Sequence, residues 1–144
     1  MKYIINNKTN LLIFKNYNTL IYEDEKELTI NKEIIKIIDE SCCYYGSNYS
    51  GRKKSAKYLL NNATKLPIII SERDLLIMFP LESSRHKNGT WILYNSIKSY
   101  KKVKKNVEIT FNNDKKFILE VSYNIFNNQV LKCSRLLAIY MLRK

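Results

Sequence analysis

The chain opens with short apolar runs broken by turn chemistry: "YIIN", "NKTN", "LLIFKNY" and "TLIYEDEKELTI". Runs of this length, separated by asparagine-rich segments, predict small hairpins over residues 1–30. The period then changes. From Asn31, a candidate N-cap, Ile34, Ile35, Ile38 and Cys42 recur at the spacing of one helix side, and the pattern stops near Gly46. Asp39 and Glu40 fall on the outer, acidic side of that helix. After the loop "GSNYS" a second helix is predicted from about Gly51 to Asn61. Its apolar back is Ala56, Leu59, Leu60 and Ala63, its basic front is Lys53, Lys54 and Lys57 continued by Tyr58, and Arg52 stands at the edge of the apolar stripe.

Residues 66–122 read as antiparallel strands. "LPIIIS" and "DLLIMFP" are continuous apolar runs around a turn at Glu72 to Asp74, with Pro67 and Pro80 at strand ends, where proline costs no ladder bond. A polar loop, "ESSRHKNG", leads to the strand "TWILYNSI". "VEITF" and "FILEV" alternate around "NNDKK" and predict a hairpin. Between them, "KSYKKVKKN" fits either a helix side through Ile97, Tyr100, Val103 and Val107 or a strand pair with a lysine-rich turn, and its neighbours favour the strand pair. Residues 123–143 predict a C-terminal helix. Phe126, Val130, Cys133, Leu137 and Tyr140 repeat at 4, 3, 4, 3, with Leu131 and Leu136 widening the seam. Such a seam is more often core than oligomer interface. The sum is an α+β fold in a single domain spanning 1–144: short antiparallel strands, two linked central helices over 31–61, and a C-terminal helix packed on the sheet.

Charge changes the picture more than composition does. The 144 residues carry a net charge of +12. Residues 1–40 hold six lysines against seven acids, whereas residues 41–144 hold nineteen Lys and Arg against six acids. A lysine-rich codon bias would spread the charge evenly. A one-sided basic region is the footprint of a polyanion binder, with nucleic acid first and an anionic membrane surface second. No apolar run approaches the ~20 residues of a membrane span, and "MKYIINNKTN" lacks the apolar core of a signal peptide, so a cytoplasmic protein is expected. Three cysteines, two of them adjacent at Cys42 and Cys43, make no disulfide framework. With Cys133 and the single His86 they do not suggest a zinc site either.

Catalytic constellations are lacking. With only three glycines, Gly46, Gly51 and Gly89, the chain has no glycine-rich phosphate cradle. His86 lies in a polar loop and reads as a surface histidine. Glu23, Asp24, Glu25 and Glu27 read as a solvated hairpin tip rather than an acid/base pair. A binding protein without enzymatic activity, cofactor or metal is expected.

The most unusual local chemistry is "GSNYSGRKK", where three cations open a helix and face the positive end of its dipole. A phosphate held by the first backbone N–H groups would neutralise Arg52, Lys53, Lys54 and the dipole together. Tyr45, Ser47, Asn48, Tyr49 and Ser50 lie just ahead, with hydroxyl and amide groups for phosphate or sugar. The plainer alternative is a helix–helix turn carrying solvated lysines.

"SCCYYGSNYSGRKKSAKYL", followed in order by "PIIIS", "FPLESSRHKNGTWIL", "VEITFNNDKKFILEVSY" and "NIFNNQVL", resembles the ComK family, competence transcription factors of low-G+C Gram-positive bacteria. The ordered series covers residues 39–137. It implies a DNA-binding activator that recognises paired A/T-rich boxes through the minor groove, as a homo-dimer or higher oligomer on double-stranded DNA, in a cytoplasmic, nucleoid-associated setting. Narrow A/T grooves concentrate negative potential and favour Arg and Lys. Arg52 is the first choice for the groove, unless it braces the fold. Lys53, Lys54 and Lys57 would hold phosphates, and Lys98, Lys101, Lys102, Lys104 and Lys105 would form a second patch. The family pattern often carries a cysteine just before the tryptophan strand, where this chain has Gly89 ahead of Trp91. Longer members continue past the final helix, so contact with RNA polymerase and control by a proteolytic adaptor are expectations carried from them. The competing reading is a basic module that binds RNA, acidic proteins or anionic membrane without duplex specificity.

Overall fold

A computed structural model describes residues 2–82 and 89–143. His86 and most of the polar loop lie outside the described residues. Among the described residues, nine strands and three α-helices follow in the order β1 (Thr9–Lys15), β2 (Asn18–Glu23), β3 (Glu27–Ile30), α1 (Ile34–Tyr44), α2 (Tyr49–Leu59), β4 (Ile68–Ser71), β5 (Leu76–Pro80), β6 (Thr90–Leu93), a 3₁₀ turn (Tyr94–Ser96), β7 (Ile97–Val103), β8 (Asn106–Phe111), β9 (Lys116–Leu119) and α3 (Tyr123–Leu142). The α+β class is as the sequence predicts. The strands divide into two antiparallel sheets, which the sequence pattern does not foretell. One has six strands in the order β3-β2-β1-β6-β5-β4, and the other is the meander β7-β8-β9.

Alternation explains how the larger sheet is covered. Along β1, Leu11 enters one core and Leu12 the other; along β5, Ile77 and Phe79 face one side while Leu76 and Met78 face the opposite one. Helix α1 covers one face through Ile34, Ile37, Ile38 and Cys42, helped by Tyr3 and Ile5. The other face receives α3, the back of α2 and the small sheet, through Phe126, Cys133, Leu136, Tyr140, Ala56, Leu60, Val107, Ile109 and Phe111. Burial on both faces is why "IIIS" and "LIMFP" read as unbroken apolar runs rather than alternating ones. Gln129 is the buried polar member of α3. Its amide donates to the carbonyls of Lys65 (2.9 Å) and Pro80 (2.7 Å), tying the helix to the segments that flank β4 and β5.

Several expectations are corrected. Asn31 does not cap α1, because β3 runs on to Ile30 and Asn31 instead donates to the Asn18 side chain; Glu33 precedes the helix without a side-chain cap bond. Asp39 and Glu40 do not form a free acidic side. Glu40 accepts from Lys32 at 2.7 Å, which holds its carboxyl below the usual range, and Asp39 accepts the Tyr49 N–H. The seam of α3, by contrast, is core as expected: Phe126, Cys133 and Tyr140 are buried, with Val130 and Leu137 packed against them. Leu131 does not widen that seam, being 56% exposed on the outer side.

Candidate nucleic-acid interface

Helix α1 ends in a pattern that aims the chain into α2. Gly46 takes a left-handed φ of +97°, its N–H donates to the Cys43 carbonyl, and the Ser47 N–H donates to the Cys42 carbonyl. Asn48 then caps α2, its side-chain oxygen accepting the Gly51 N–H at 2.6 Å. A Cβ on residue 51 would lie 3.1 Å from that oxygen, so any larger residue there would press on the cap.

The helix thus begins at Tyr49, two residues earlier than its pattern suggests. Arg52 is its fourth residue, beyond the first turn where the dipole acts most strongly. The start already faces an anion: the Asp39 carboxylate accepts the Tyr49 N–H at 2.9 Å. The tyrosines ahead of it are turned inward. Tyr45 donates its hydroxyl to the Ile5 carbonyl at 2.9 Å, and the Tyr49 ring packs on the α1 core, where burial raises both phenols above their ordinary range. Ser50 is exposed and Ser47 half-buried.

Lys53, Lys54 and Lys57 all project to solvent on one side of α2, joined by Tyr58 at 82% exposure. Among the described residues none of the three forms an ion pair. The Lys53 ammonium stands 5.9 Å from the Tyr49 ring. Arg52 behaves differently. Its side chain is only 12% exposed, its guanidinium lies 3.6 Å from the Glu72 carboxylate in the β4–β5 turn, and its Nε is buried with no hydrogen-bond partner. Glu72 also receives Arg143, from the end of α3, at 3.9 Å. Arg143 in turn stacks over the Tyr140 ring at 4.2 Å, and the Tyr140 hydroxyl meets Ser55 of α2 at 3.4 Å. No local sequence signal marks Glu72 or Arg143, since the three charged partners come from segments far apart in the chain.

The second lysine group sits on the β7–β8 hairpin. Val103 pairs with Asn106, so Lys104 and Lys105 form a two-residue turn, with Lys104 at a φ of +57°. Lys98, Lys101, Lys102, Lys104 and Lys105 are all exposed. Lys98 is bound to Asp114 at 2.7 Å, a contact that lowers the Asp114 carboxyl, and Lys101 faces Glu108 at 3.8 Å. Lys102, Lys104 and Lys105 form no ion pair among the described residues.

The structure does not merge the two groups into one cluster. Tyr100 of the hairpin packs on Phe126 near the start of α3, with ring centroids 4.9 Å apart, and donates its hydroxyl to Asn127. Helix α2 meets α3 at Tyr140. Phe126 and Tyr140 are separated by fourteen residues of α3, or about 21 Å of helix, so the hairpin and α2 contact α3 toward its opposite ends.

The family described as "ComK protein" matches residues 1–144. The chain belongs to the ComK family. It is also similar to a curated relative, the "Competence transcription factor" of Bacillus subtilis (strain 168), at 33% identity over 113 residues, 78% of this chain and 59% of the relative. The aligned part thus spans well under two-thirds of that relative's length. No solved structure matches. Among the described residues, no cluster of His, Cys, Asp and Glu could hold a metal ion, and no helix is long and apolar enough to cross a membrane. Cys42 and Cys133 are buried, Cys43 is exposed, and all three are free thiols.

Proposed function

We propose that this ComK-family chain is a regulator of competence genes that binds double-stranded DNA, holding paired A/T-rich boxes through the minor groove as a homo-dimer or higher oligomer. The observation that carries the reading is the pair of exposed lysine groups, Lys53, Lys54 and Lys57 on α2 and Lys102, Lys104 and Lys105 on the hairpin, borne by elements that contact α3 about 21 Å apart along its axis. Spaced cations on a rigid frame suit a duplex backbone, where phosphate contacts set position and the groove sets sequence preference. Lys98 and Lys101 would add to the hairpin group once freed from Asp114 and Glu108, and Ser47, Asn48 and Tyr49 act mainly by building the start of α2. Arg52 reaches a groove only by leaving Glu72.

The test is an anisotropy titration of A/T-boxed and G/C-rich duplexes, with a minor-groove drug as competitor and light scattering on the complexes. Preference for the A/T duplex, loss of binding to the drug and a complex holding more than one chain are expected. Equal affinity for both duplexes, or indifference to the drug, refutes minor-groove reading. Tight binding to single-stranded RNA or to anionic vesicles, with no duplex affinity, would replace it by the competing interaction-module reading.

A further inference from the structure

Glu72 is the one carboxylate shared by two arginines from different elements, Arg52 of α2 and Arg143 at the end of α3, among the ion pairs of the described residues. The geometry is loose. At 3.6 and 3.9 Å these contacts are longer than the ~2.7–2.9 Å of a tight charge-assisted hydrogen bond, and Glu72 is 57% exposed. The arginines are otherwise under-used. Arg52 keeps a buried Nε with no acceptor, and Arg143 lies on a ring rather than on a second acid. A carboxylate on a turn, open to water and bridging two guanidinium groups weakly, can be exchanged for a backbone phosphate, whose two non-bridging oxygens offer guanidinium the same fork and arrive as part of a dense array.

We propose that Glu72 is an internal competitor for the nucleic acid: in the free protein it occupies the place that a backbone phosphate takes between Arg52 and Arg143, and binding exchanges one for the other. This rests on the duplex-binding reading above and adds a control to it. Arg52 is stored against Glu72 with little of its side chain in water, and it is delivered only to a polyanion strong enough to displace the carboxylate. The neighbouring lysines Lys53, Lys54 and Lys57 bring the phosphate backbone to the same helix, so exchange follows docking. The arrangement weakens binding to sparse anionic surfaces and favours a dense, regular array of phosphates.

The test compares Glu72→Gln with the wild-type chain on one A/T-rich duplex over a series of salt concentrations. Glutamine keeps the size and hydrogen-bonding reach but leaves both arginines unneutralised. Wild type and variant make the same phosphate contact once bound, so the log K against log salt slope stays the same while affinity rises several-fold, because Glu72 no longer has to be displaced. The gain must shrink in the double variant Glu72→Gln, Arg143→Gln, where the phosphate keeps Arg52 alone, and Arg143, at the end of its helix, can be changed without opening the core. Glu25→Gln, in the exposed β2–β3 turn, controls for the loss of any acidic charge. Unchanged affinity in Glu72→Gln, with wild-type binding intact, overturns the exchange while leaving duplex binding standing, and so does a gain that is undiminished in the double variant or is matched by Glu25→Gln. Binding by neither wild type nor Glu72→Gln overturns both this inference and the reading beneath it.

Discussion

Replacing Lys53, Lys54 and Lys57 together with glutamine should separate binding from stability. The three side chains are exposed and make no ion pair among the described residues, so their removal breaks no acid–base contact. None stands in the first turn of α2, which begins at Tyr49, so the dipole gains nothing from their loss. Lys57 lies in the last turn, where an exposed cation contributes about 0.3–1 kcal/mol. For a chain of this size that is a melting shift of about 4 °C or less. If each lysine neutralises one phosphate, the salt slope falls by about 2.7 and affinity at 0.1 M salt drops about 500-fold, equivalent to about 3.7 kcal/mol. Fluorescence anisotropy of a labelled A/T duplex at several salt concentrations reads the slope, and thermal unfolding followed by circular dichroism reads the stability. An unchanged slope refutes the assignment of α2 to the backbone. A melting temperature lowered beyond the last-turn contribution of Lys57 would show instead that the lysine stems support the fold.

Two further outcomes follow from geometry. Lys104→Gly relieves a left-handed residue at the tip of the β7–β8 hairpin, so unfolding should be harder by a few tenths of a kcal/mol up to about 1, while duplex affinity falls by one phosphate contact; urea titration and anisotropy on the same sample check both signs, and a destabilised variant refutes the strain argument. Burial pushes the Cys42 thiol up from 9.0 to about 12, and a raised acid favours its neutral form in the folded state, so its contribution is complete below pH 9 and is lost as the pH rises toward 12. Three pKa units correspond to about 4 kcal/mol, and the urea midpoint should fall steadily over that window and fall less in Cys42→Ala, where the buried Cys133, its thiol also pushed up by burial, still contributes; a level midpoint from pH 9 to 11 in the wild type counts against it.

The elements themselves were legible because each carries its own period. "VEITF" alternates as a strand with one buried side, Val107, Ile109 and Phe111 facing α3, and the 4, 3, 4, 3 spacing of Phe126 to Tyr140 marks the seam that meets the sheet. What joins them left no local mark. β1 pairs with β6, Leu12 opposite Trp91, across most of the chain, and no short window of sequence holds that information. The start of α2 was read two residues late because its anion, Asp39, comes from the preceding helix and substitutes for a local acidic signal. The candidate lysines were found by charge alone and are exposed as charge would have them. Arg52 differs because its direction is decided by Glu72 and, through it, by Arg143 at the far end of the chain.

The lysines of β7 have a consequence unrelated to any ligand. β7 is an outer strand of the small sheet, with one row of backbone donors and acceptors left unpaired by its own sheet. An open row of that kind is a template for another chain to extend, and repeated like charges along it make such an approach unfavourable. Lys98, Lys101 and Lys102 therefore help keep separate copies from growing into a common ribbon. Selection or engineering that neutralised them to tune affinity would trade solubility along with it, so the chain's freedom to vary this strand is narrower than binding alone would require.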